Sequence, residues 1–226
     1  ECAQACRMPW TVEDDAGKVV LKDKSVLSLK DLNLSAHLSE LVEVGIDSFK
    51  IEGRLKEADY VANVTSYYSG RLDEIVARNE DLARVGAGYV KTGFEADPER
   101  SFNRGYTDYF FVQRKTGMVS MDSPKSMGKK VAMVKQVKGN QMWVELLEPV
   151  HNADGLCYFD GRELRGVKVN TAEGNRLTCN ERLNVKPGTL LYRNYDHEFV
   201  TRLAKGTSVR KIKVKIDVYV EDARLV

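Results

Sequence analysis

The spacing of apolar residues changes along this chain, and that change most constrains what it can fold into. Between residues 57 and 79, apolar side chains such as Tyr60, Val64 and Tyr68 recur at the spacing of one helix face. From residue 129 onward, short runs alternate apolar and polar residues between turn signals, the period of β-strands. The sequence therefore predicts an α+β protein with a helical first part and an all-β second part.

Two further elements are predicted in the first part. Ser28 and Asp31 have the offset of a capping box and Gly45 is a stop signal, so a helix is expected within residues 28–45. Residues 46–54 then alternate apolar and polar side chains, a pattern typical of one strand. Helix, strand and helix in succession are typical of a barrel or a doubly wound sheet.

The second part is predicted to form a small closed barrel. Its strands are too few for two full sheets. The candidate strands cover residues 130–137, 141–147, 155–159, 164–170 and 190–192, with turns at 139–140 and 160–161. The domain boundaries that follow are a first part at 1–84, an irregular linker at 85–128, the barrel at 129–208, and the start of a further β segment at 209–226.

Charge and hydropathy exclude several classes of protein. The net charge is +2, and 42% of the residues are hydrophobic, which fits a folded globular chain. No run approaches 18 apolar residues, so a membrane span is not expected. Residues 121–226 carry 19 basic and 13 acidic side chains, whereas residues 1–120 carry 16 and 20. The excess of basic side chains in the second half indicates either contact with a polyanion or a solvated basic face.

The four cysteines fall into two kinds. Cys2 and Cys6 are four residues apart, a spacing that suits ligands of one metal or cluster and equally suits two ordinary thiols. Cys157 lies in a predicted strand and Cys179 in a polar turn region, so both are expected to be core or surface residues. Cysteines without a secretory segment predict a reducing compartment, the cytoplasm.

Two segments contain side chains that suit chemistry or binding. Glu52 and Arg54 flank Gly53 at the end of the predicted strand, where α/β folds build their sites, although an ion pair at a barrel rim gives the same pattern. Residues 102–111 mix arginine, glycine and aromatics, which suits base stacking or, more simply, packing against a neighbouring domain. The three histidines are isolated, and no hydrolase motif is present.

Taken together, four motifs resemble the peptidase U32, or collagenase-like, family. They are Cys-Ala-Gln-Ala-Cys-Arg at 2–7, Lys-Ile-Glu-Gly-Arg at 50–54, the run at 102–110, and Asp-Ser-Pro-Lys at 122–125. They are similar to the branch that hydroxylates a cytidine of large-subunit ribosomal RNA. The resemblance implies an internal fragment of a longer protein, in which residues 1–84 are the closing βα elements of a TIM-like barrel.

The resemblance also implies a chemistry and a set of site residues. Relatives hydroxylate C5 of a pyrimidine with prephenate and an iron–sulfur cluster, so Cys2 and Cys6 are expected to be a partial ligand set completed upstream. Glu52 and Arg54 are the expected catalytic residues. Binding of ribosomal RNA or of the small carboxylate cosubstrate is expected from Arg7, Arg104, Tyr106, Lys211, Lys213 and Lys215.

The fragment by itself is expected to hold no cofactor and to be inactive. A barrel strand at 46–54 without its neighbours exposes apolar surface, so self-association is also expected. Two alternatives stay open: the collagenase-like peptidase of the family name, and a non-catalytic RNA-binding module built on the β-barrel.

Overall fold

The structure is a computed structural model that describes residues 3–161, 163–206, 208–221 and 224–225. It has a mixed α/β fold in which a closed antiparallel barrel follows a more open region. From here on, the described residues before Lys129, which include the predicted linker, are together called the first part. The first part contains β1 (Trp10–Glu13), β2 (Val19–Lys24), β3 (Asp31–Leu32), α1 (Leu38–Glu43), α2 (Ala58–Val76), β4 (Tyr89–Lys91), β5 (Tyr106–Thr107) and 3-10 turns at Ala5–Arg7, Ser35–His37 and Pro98–Arg100. The remainder contains β6 (Lys129–Lys138), β7 (Gln141–Leu146), β8 (Gly155–Asp160), β9 (Glu163–Glu173), β10 (Arg176–Cys179), β11 (Leu190–Tyr195), α3 (His197–Ala204), β12 (Val209–Lys211), β13 (Val220–Glu221) and β14 (Arg224–Leu225).

Six strands close the barrel in the order β10, β7, β6, β11, β8, β9, with β9 paired to β10. Every pairing is antiparallel, as in the register Val134 to Val144 and Cys157 to Gly166. Closure leaves no free edge along the barrel wall, which is the usual protection of a small sheet against unwanted strand pairing. The small closed barrel predicted from strand spacing is confirmed.

Alternating residues of these strands fill the barrel interior. The largest of the fully buried apolar side chains in these strands are Val131, Val134, Met142, Leu156, Val169, Leu177 and Leu191. Burying each such side chain is worth about 1.5–3 kcal/mol before the entropy of ordering it is counted. Gly128, at the entrance to β6, has a φ of 70°, and a Cβ there would lie 1.9 Å from the carbonyl oxygen of Arg193. Only glycine permits that close approach of two backbones.

The helix α2 confirms the long amphipathic helix predicted at 57–79. Its fully buried Asn63 joins it to the connection that follows: Nδ2 donates to the Asp97 carbonyl at 2.7 Å, and Oδ1 accepts from the Asp97 N–H at 2.9 Å. The same amide donates to Ser101 Oγ at 2.6 Å. This polar residue on a largely apolar face thus fixes the path of the chain toward the barrel.

A buried ionic network joins the first part to the barrel. Asp196 accepts from Arg100 Nε at 2.7 Å and lies 3.1 Å from Arg193 Nη2, and its other oxygen caps α3 by accepting from the Phe199 N–H at 3.0 Å. Burial opposes ionisation of Asp196, yet these donors together hold its pKa below the usual value. Arg100 also stacks over Phe199, with its Cζ 4.3 Å from the ring centroid.

The strand predicted at 46–54 is not formed. No described residue pairs with this segment, and a strand without a hydrogen-bonded neighbour is not a stable element. A TIM-like barrel is therefore not confirmed by the fold. The predicted alternation is seen only in how far the side chains are exposed. Phe49 and Ile51 are half-buried, whereas Lys50 and Glu52 are exposed.

The helix expected within residues 28–45 begins later than the capping box suggested. Residues around Ser28 are extended because the Ser28 carbonyl accepts from the Ser120 N–H at 2.7 Å and the Lys30 N–H donates to the Met118 carbonyl at 2.9 Å. A 3-10 turn at Ser35–His37 leads into α1 instead. Gly45 ends this helix as predicted, with a φ of 90° and its N–H donating to the Val42 carbonyl.

The sequence also missed pairings at the end of the chain. β10 was not predicted, although it completes the barrel. β12 pairs with β4 of the first part, whereas the alternating residues 212–219 form no strand. Within the described ranges, no helix combines the length and the apolar character needed to cross a bilayer.

Candidate anion-binding site

A cavity of about 600 Å³ lies between α2, the segment 46–56 and the N-terminal turn. Its size is that of an ordinary small-molecule site. Five basic side chains line it, against the two carboxylates of Asp31 and Glu52. The basic residues are Arg7, Lys50, Arg54, Lys56 and Arg104. This excess of positive charge favours an anionic ligand.

The parallel pairing of β3 with β5 builds one wall of the cavity. It places Asp31 opposite Tyr106, so that the Arg104 N–H donates to Asp31 Oδ2 at 2.8 Å and Arg104 Nε donates to the same oxygen at 3.3 Å. Arg104 Nη2 donates to Asp31 Oδ1, which makes the contact a two-pronged one. Arg104 is therefore held in place by a carboxylate rather than free in solution.

Asp31 itself has an unusual environment. Burial raises the pKa of its carboxyl to about 6, and the positive charges of Lys56 and Arg7 act against that rise. Perturbed carboxyl groups in cavities are common at functional sites, because they exchange protons near neutral pH.

Lys56 and Arg7 supply positive charge that the protein leaves partly uncompensated. Lys56 Nζ lies 3.0 Å from the ring centroid of Phe102, and burial lowers the pKa of this amine. Arg7 Nη1 is buried and has no hydrogen-bond partner among the described residues. A buried donor without a partner is costly, and an anion in the cavity is the kind of group that satisfies it.

The predicted pair Glu52 and Arg54 lies at the mouth of this cavity. Glu52 Oε1 accepts from the backbone N–H of Arg54 at 2.7 Å, which fixes the turn. The two side chains form no ion pair in the described structure, so the rim ion pair that competed with a functional role is not observed. The exposed Arg54 guanidinium remains available to a ligand.

Two tyrosines of α2 close the inner side of the cavity. Tyr68 donates to Asn33 Oδ1 at 3.0 Å and accepts from the Leu34 N–H at 3.2 Å. Burial raises the pKa of both Tyr60 and Tyr68, so both remain neutral hydrogen-bonding groups at physiological pH. They give the cavity an aromatic floor beneath its basic rim.

The cysteines do not form a cluster site within the described residues. Cys6 is free and exposed, whereas Cys2 lies outside the described residues. Burial raises the pKa of Cys157 to about 12 and that of Cys179 to about 11, which suits inert core thiols as predicted. No group of three or more metal-ligating side chains occurs in the described ranges. A cluster usually takes four thiolates, of which the described residues supply Cys6, so the expected ligand set stays a prediction.

The other predicted binding residues lie elsewhere. Tyr106 donates its hydroxyl to the Pro98 carbonyl at 2.8 Å, and burial raises its pKa well above the usual value. Lys211, Lys213 and Lys215 are exposed, and none of them lines the cavity. Lys215 pairs with Asp217 at 3.0 Å. The cavity and the basic run are thus separate features.

Sequence reasoning missed Asp31 and Lys56 as site residues. Asp31 is 73 positions from Arg104, and only the β3–β5 pairing brings them together. Lys56 follows Arg54 by two positions, so its closeness to the predicted site was the one available signal. Its contact with Phe102 was not visible in the sequence.

Comparison with known proteins places the chain in context. A sequence model of Peptidase family U32 matches residues 1–120. The chain is similar to the 23S rRNA 5-hydroxycytidine C2501 synthase of Escherichia coli, with 39% identity over 226 residues, covering 96% of this chain and 35% of that protein. It is 38% identical over 87 residues to the tRNA hydroxylation protein P1 of Bacillus subtilis, covering 36% of this chain and 21% of the relative.

A collagenase of Porphyromonas gingivalis is 27% identical over 116 residues, covering 51% of this chain and 30% of the relative. The chain thus spans about a third or less of these curated relatives. No solved structure gives a significant match. The family match covers more than half of the chain and includes Arg7, Glu52, Arg54 and Arg104 of the cavity. The chain belongs to Peptidase family U32.

Proposed function

We propose that this chain is part of an enzyme that hydroxylates C5 of a cytidine in large-subunit ribosomal RNA. One observation carries the proposal: the similarity to the 23S rRNA 5-hydroxycytidine C2501 synthase covers 96% of the chain, and therefore extends through the β-barrel. The similarity to the collagenase covers 51% of the chain, and that to the tRNA hydroxylation protein covers 36%. The barrel thus favours the ribosomal branch over the others.

In this proposal, the cavity binds a small carboxylate such as prephenate. Arg54 and Arg7 hold the carboxylate, since a guanidinium matches it with two parallel hydrogen bonds. Lys56 adds charge beside them, and Glu52 orients the turn that presents Arg54. Tyr60 and Tyr68 contact the ring of the ligand. A buried and unpaired Nη1 of Arg7 supports this assignment.

Hydroxylating an aromatic carbon takes more than acid–base side chains. The family resemblance assigns that step to an iron–sulfur cluster, with Cys2 and Cys6 as two of its ligands, and this remains part of the proposal. The described residues contribute binding, orientation and proton exchange. We also propose that residues 1–84 are the closing βα elements of a TIM-like barrel in the longer protein. So do a cytoplasmic location and self-association of the isolated chain.

The carboxylate site is tested by titrating the chain with prephenate in a calorimeter. Arg54→Gln and Arg7→Gln are expected to weaken binding about tenfold or more each, because hydrogen bonds to charged groups contribute about 1.5–3 kcal/mol. Arg78→Gln, at an exposed arginine that follows α2, is the matched control. Equal affinity in all three variants would show that the cavity is not the site.

The reaction is tested by mass spectrometry of ribosomal RNA from cells that lack the full-length gene. Loss of 5-hydroxycytidine, restored by the normal gene and not by an Arg54→Gln gene, is the expected result. An unchanged modification profile in the deletion strain would refute the proposed function.

The peptidase alternative gains no support from the cavity. Ser48 is a possible nucleophile on its lining, but no histidine or cysteine lines it beside that serine. An RNA-binding module without catalysis remains the second candidate, since the barrel is a self-contained unit with exposed basic residues beyond it.

A further inference from the structure

The second half of the aromatic run at 102–111 is exposed, although packing was the favoured interpretation of its sequence. Phe102 and Tyr106 pack inward, whereas Tyr109, Phe110 and Phe111 remain 39%, 40% and 37% exposed. These three consecutive aromatics and the following residues to Lys115 are here called the aromatic turn. Consecutive exposed aromatics are unusual on a soluble surface and mark binding sites.

The aromatic turn is held in a fixed conformation. Tyr109 has a φ of 56°, a left-handed conformation that is uncommon for a non-glycine residue. Its N–H donates to Thr107 Oγ1 at 3.0 Å, and the Phe111 N–H donates to the Asp108 carbonyl at 3.1 Å. Strain of this kind persists where the surroundings enforce it, and it is frequent at ligand-binding positions.

The rings of the aromatic turn contact a histidine and one another, and they lie beside positive charge. Phe111 rests on His37 with 4.6 Å between ring centroids, and Tyr109 lies 4.4 Å from Phe110. Arg114 Cζ is 5.8 Å from the Phe110 centroid. Arg114 forms no ion pair within the described residues, whereas Lys115 pairs with Asp108. The turn thus presents π faces next to a free guanidinium.

We propose that the aromatic turn is a stacking platform for unpaired bases of RNA. Single-stranded RNA is bound by aromatic side chains that stack on bases and by arginines that meet the phosphates, and the turn contains both. The location supports this, because the turn follows Arg104 of the cavity by five residues. The inference deepens the proposed function and rests on it for the identity of the RNA.

The area of the turn argues against a second copy of the chain as its partner. Three aromatic side chains of about 200 Å² each, about 40% exposed, offer about 250 Å². A stable protein interface buries about 800 Å² on each partner. The available area matches two or three bases instead.

The test measures fluorescence anisotropy of a labelled ten-nucleotide oligouridine titrated with the chain. Phe110→Leu keeps the apolar bulk without the π face, and it is expected to weaken binding about tenfold. Phe110→Trp restores a π face and should bind like the normal chain. Tyr89→Leu, at a similarly exposed aromatic residue of β4, is the matched control and should bind normally. Arg114→Gln should lower the salt dependence by about 0.7 in logarithmic slope.

Three results would overturn the inference. They are normal binding by Phe110→Leu, equal loss in Tyr89→Leu, and no binding of oligouridine by the normal chain. A Phe110→Leu chain that changes only its sedimentation behaviour would identify a self-association surface instead. If RNA binding depends on Phe110 while cells lacking the gene keep their hydroxycytidine, the proposed function fails and the platform stands. If hydroxylation is confirmed and Phe110→Leu binds normally, the platform alone fails.

Discussion

The β-barrel and the part of the chain that precedes it bury their apolar side chains to very different extents. Seven large apolar side chains of the barrel are fully buried, together with the smaller side chains of Ala132 and Cys179. Among the described residues before β6, the buried apolar side chains are Leu38, Val64 and Phe94. Leu55 is 84% exposed in the same part, beside the cavity.

This difference indicates that the barrel contributes mainly to stability, whereas the first part contributes groups that can bind a ligand. The barrel closes on itself and satisfies its backbone, so its sequence is constrained mainly by packing. The first part leaves charged donors and aromatic rings open, which is the usual condition of surfaces that meet a ligand. The four predictions below test whether the two parts differ in energy as they differ in burial.

The largest effect is expected from Asp196→Ala, which removes the buried carboxylate between Arg100 and Arg193. Arg100 would lose its carboxylate, Arg193 would keep only that of Asp154, and α3 would lose its cap, so the free energy of unfolding should fall by about 3–5 kcal/mol. Urea denaturation measures it. Glu198→Gln, at an exposed carboxylate of α3 that pairs with Arg202, is the control and should change stability by about 0.5 kcal/mol or less.

The next prediction compares a leucine-to-alanine substitution in the barrel with the same substitution in the first part. Leu191→Ala in the barrel should lower the free energy of unfolding by about 2–5 kcal/mol, because it leaves a cavity among fully buried neighbours. Leu55→Ala should lower it by about 0.5 kcal/mol or less, since that side chain is exposed. Similar losses in the two variants, measured in the same urea titrations, would contradict the contrast between the parts.

A smaller and local effect is expected from Arg104→Gln. Removing the two-pronged contact with Asp31 should weaken the β3–β5 pairing by about 1–2 kcal/mol. Hydrogen exchange should then quicken at the amides of Asp31 and Asn33, which donate to the carbonyls of Gly105 and Thr107, while the barrel amides keep their protection. Faster exchange throughout β6 would show instead that the two parts open together.

The smallest effect is expected from acid. The folded pKa of Asp196 lies below its ordinary value, so the stability it contributes is present above pH 3.8 and is lost as pH falls through the folded pKa. Unfolding of the normal chain should therefore become easier below pH 3.8. In Asp196→Asn this pH dependence should be smaller, which thermal unfolding from pH 5 to pH 2 would measure.

The sequence predicted elements whose determinants are local. The strands of the barrel and the helix α2 were visible because each carries its own period and its own turn or end signals. The four-residue β10 was too short for such a period, and its pairing with β7 and β9 is decided at a distance. The segment 46–54 had the strand period and no partner, which shows that alternation alone is not sufficient for a strand.

At the cavity, too, the sequence identified residues that lie in local motifs but not those whose role depends on a distant partner. Glu52, Arg54, Arg7 and Arg104 were identified from residue type and motif, and all four line it. Asp31 was interpreted as part of a helix cap, because nothing near it in the sequence shows that its partner is Arg104. The roles of long-range partners are set by topology, which the order of residues alone does not display.

The contacts of Arg100 and Arg104 have a geometric consequence. The first is bound to Asp196 at the start of α3, and the second to Asp31 on the cavity wall. Four peptide units separate the two arginines, and they span at most about 14 Å when fully extended. This short segment therefore limits the distance between the start of α3 and the wall of the cavity. Any movement that takes the cavity wall farther from the start of α3 than this distance and the reach of the two side chains therefore has to break one of the two arginine–carboxylate contacts.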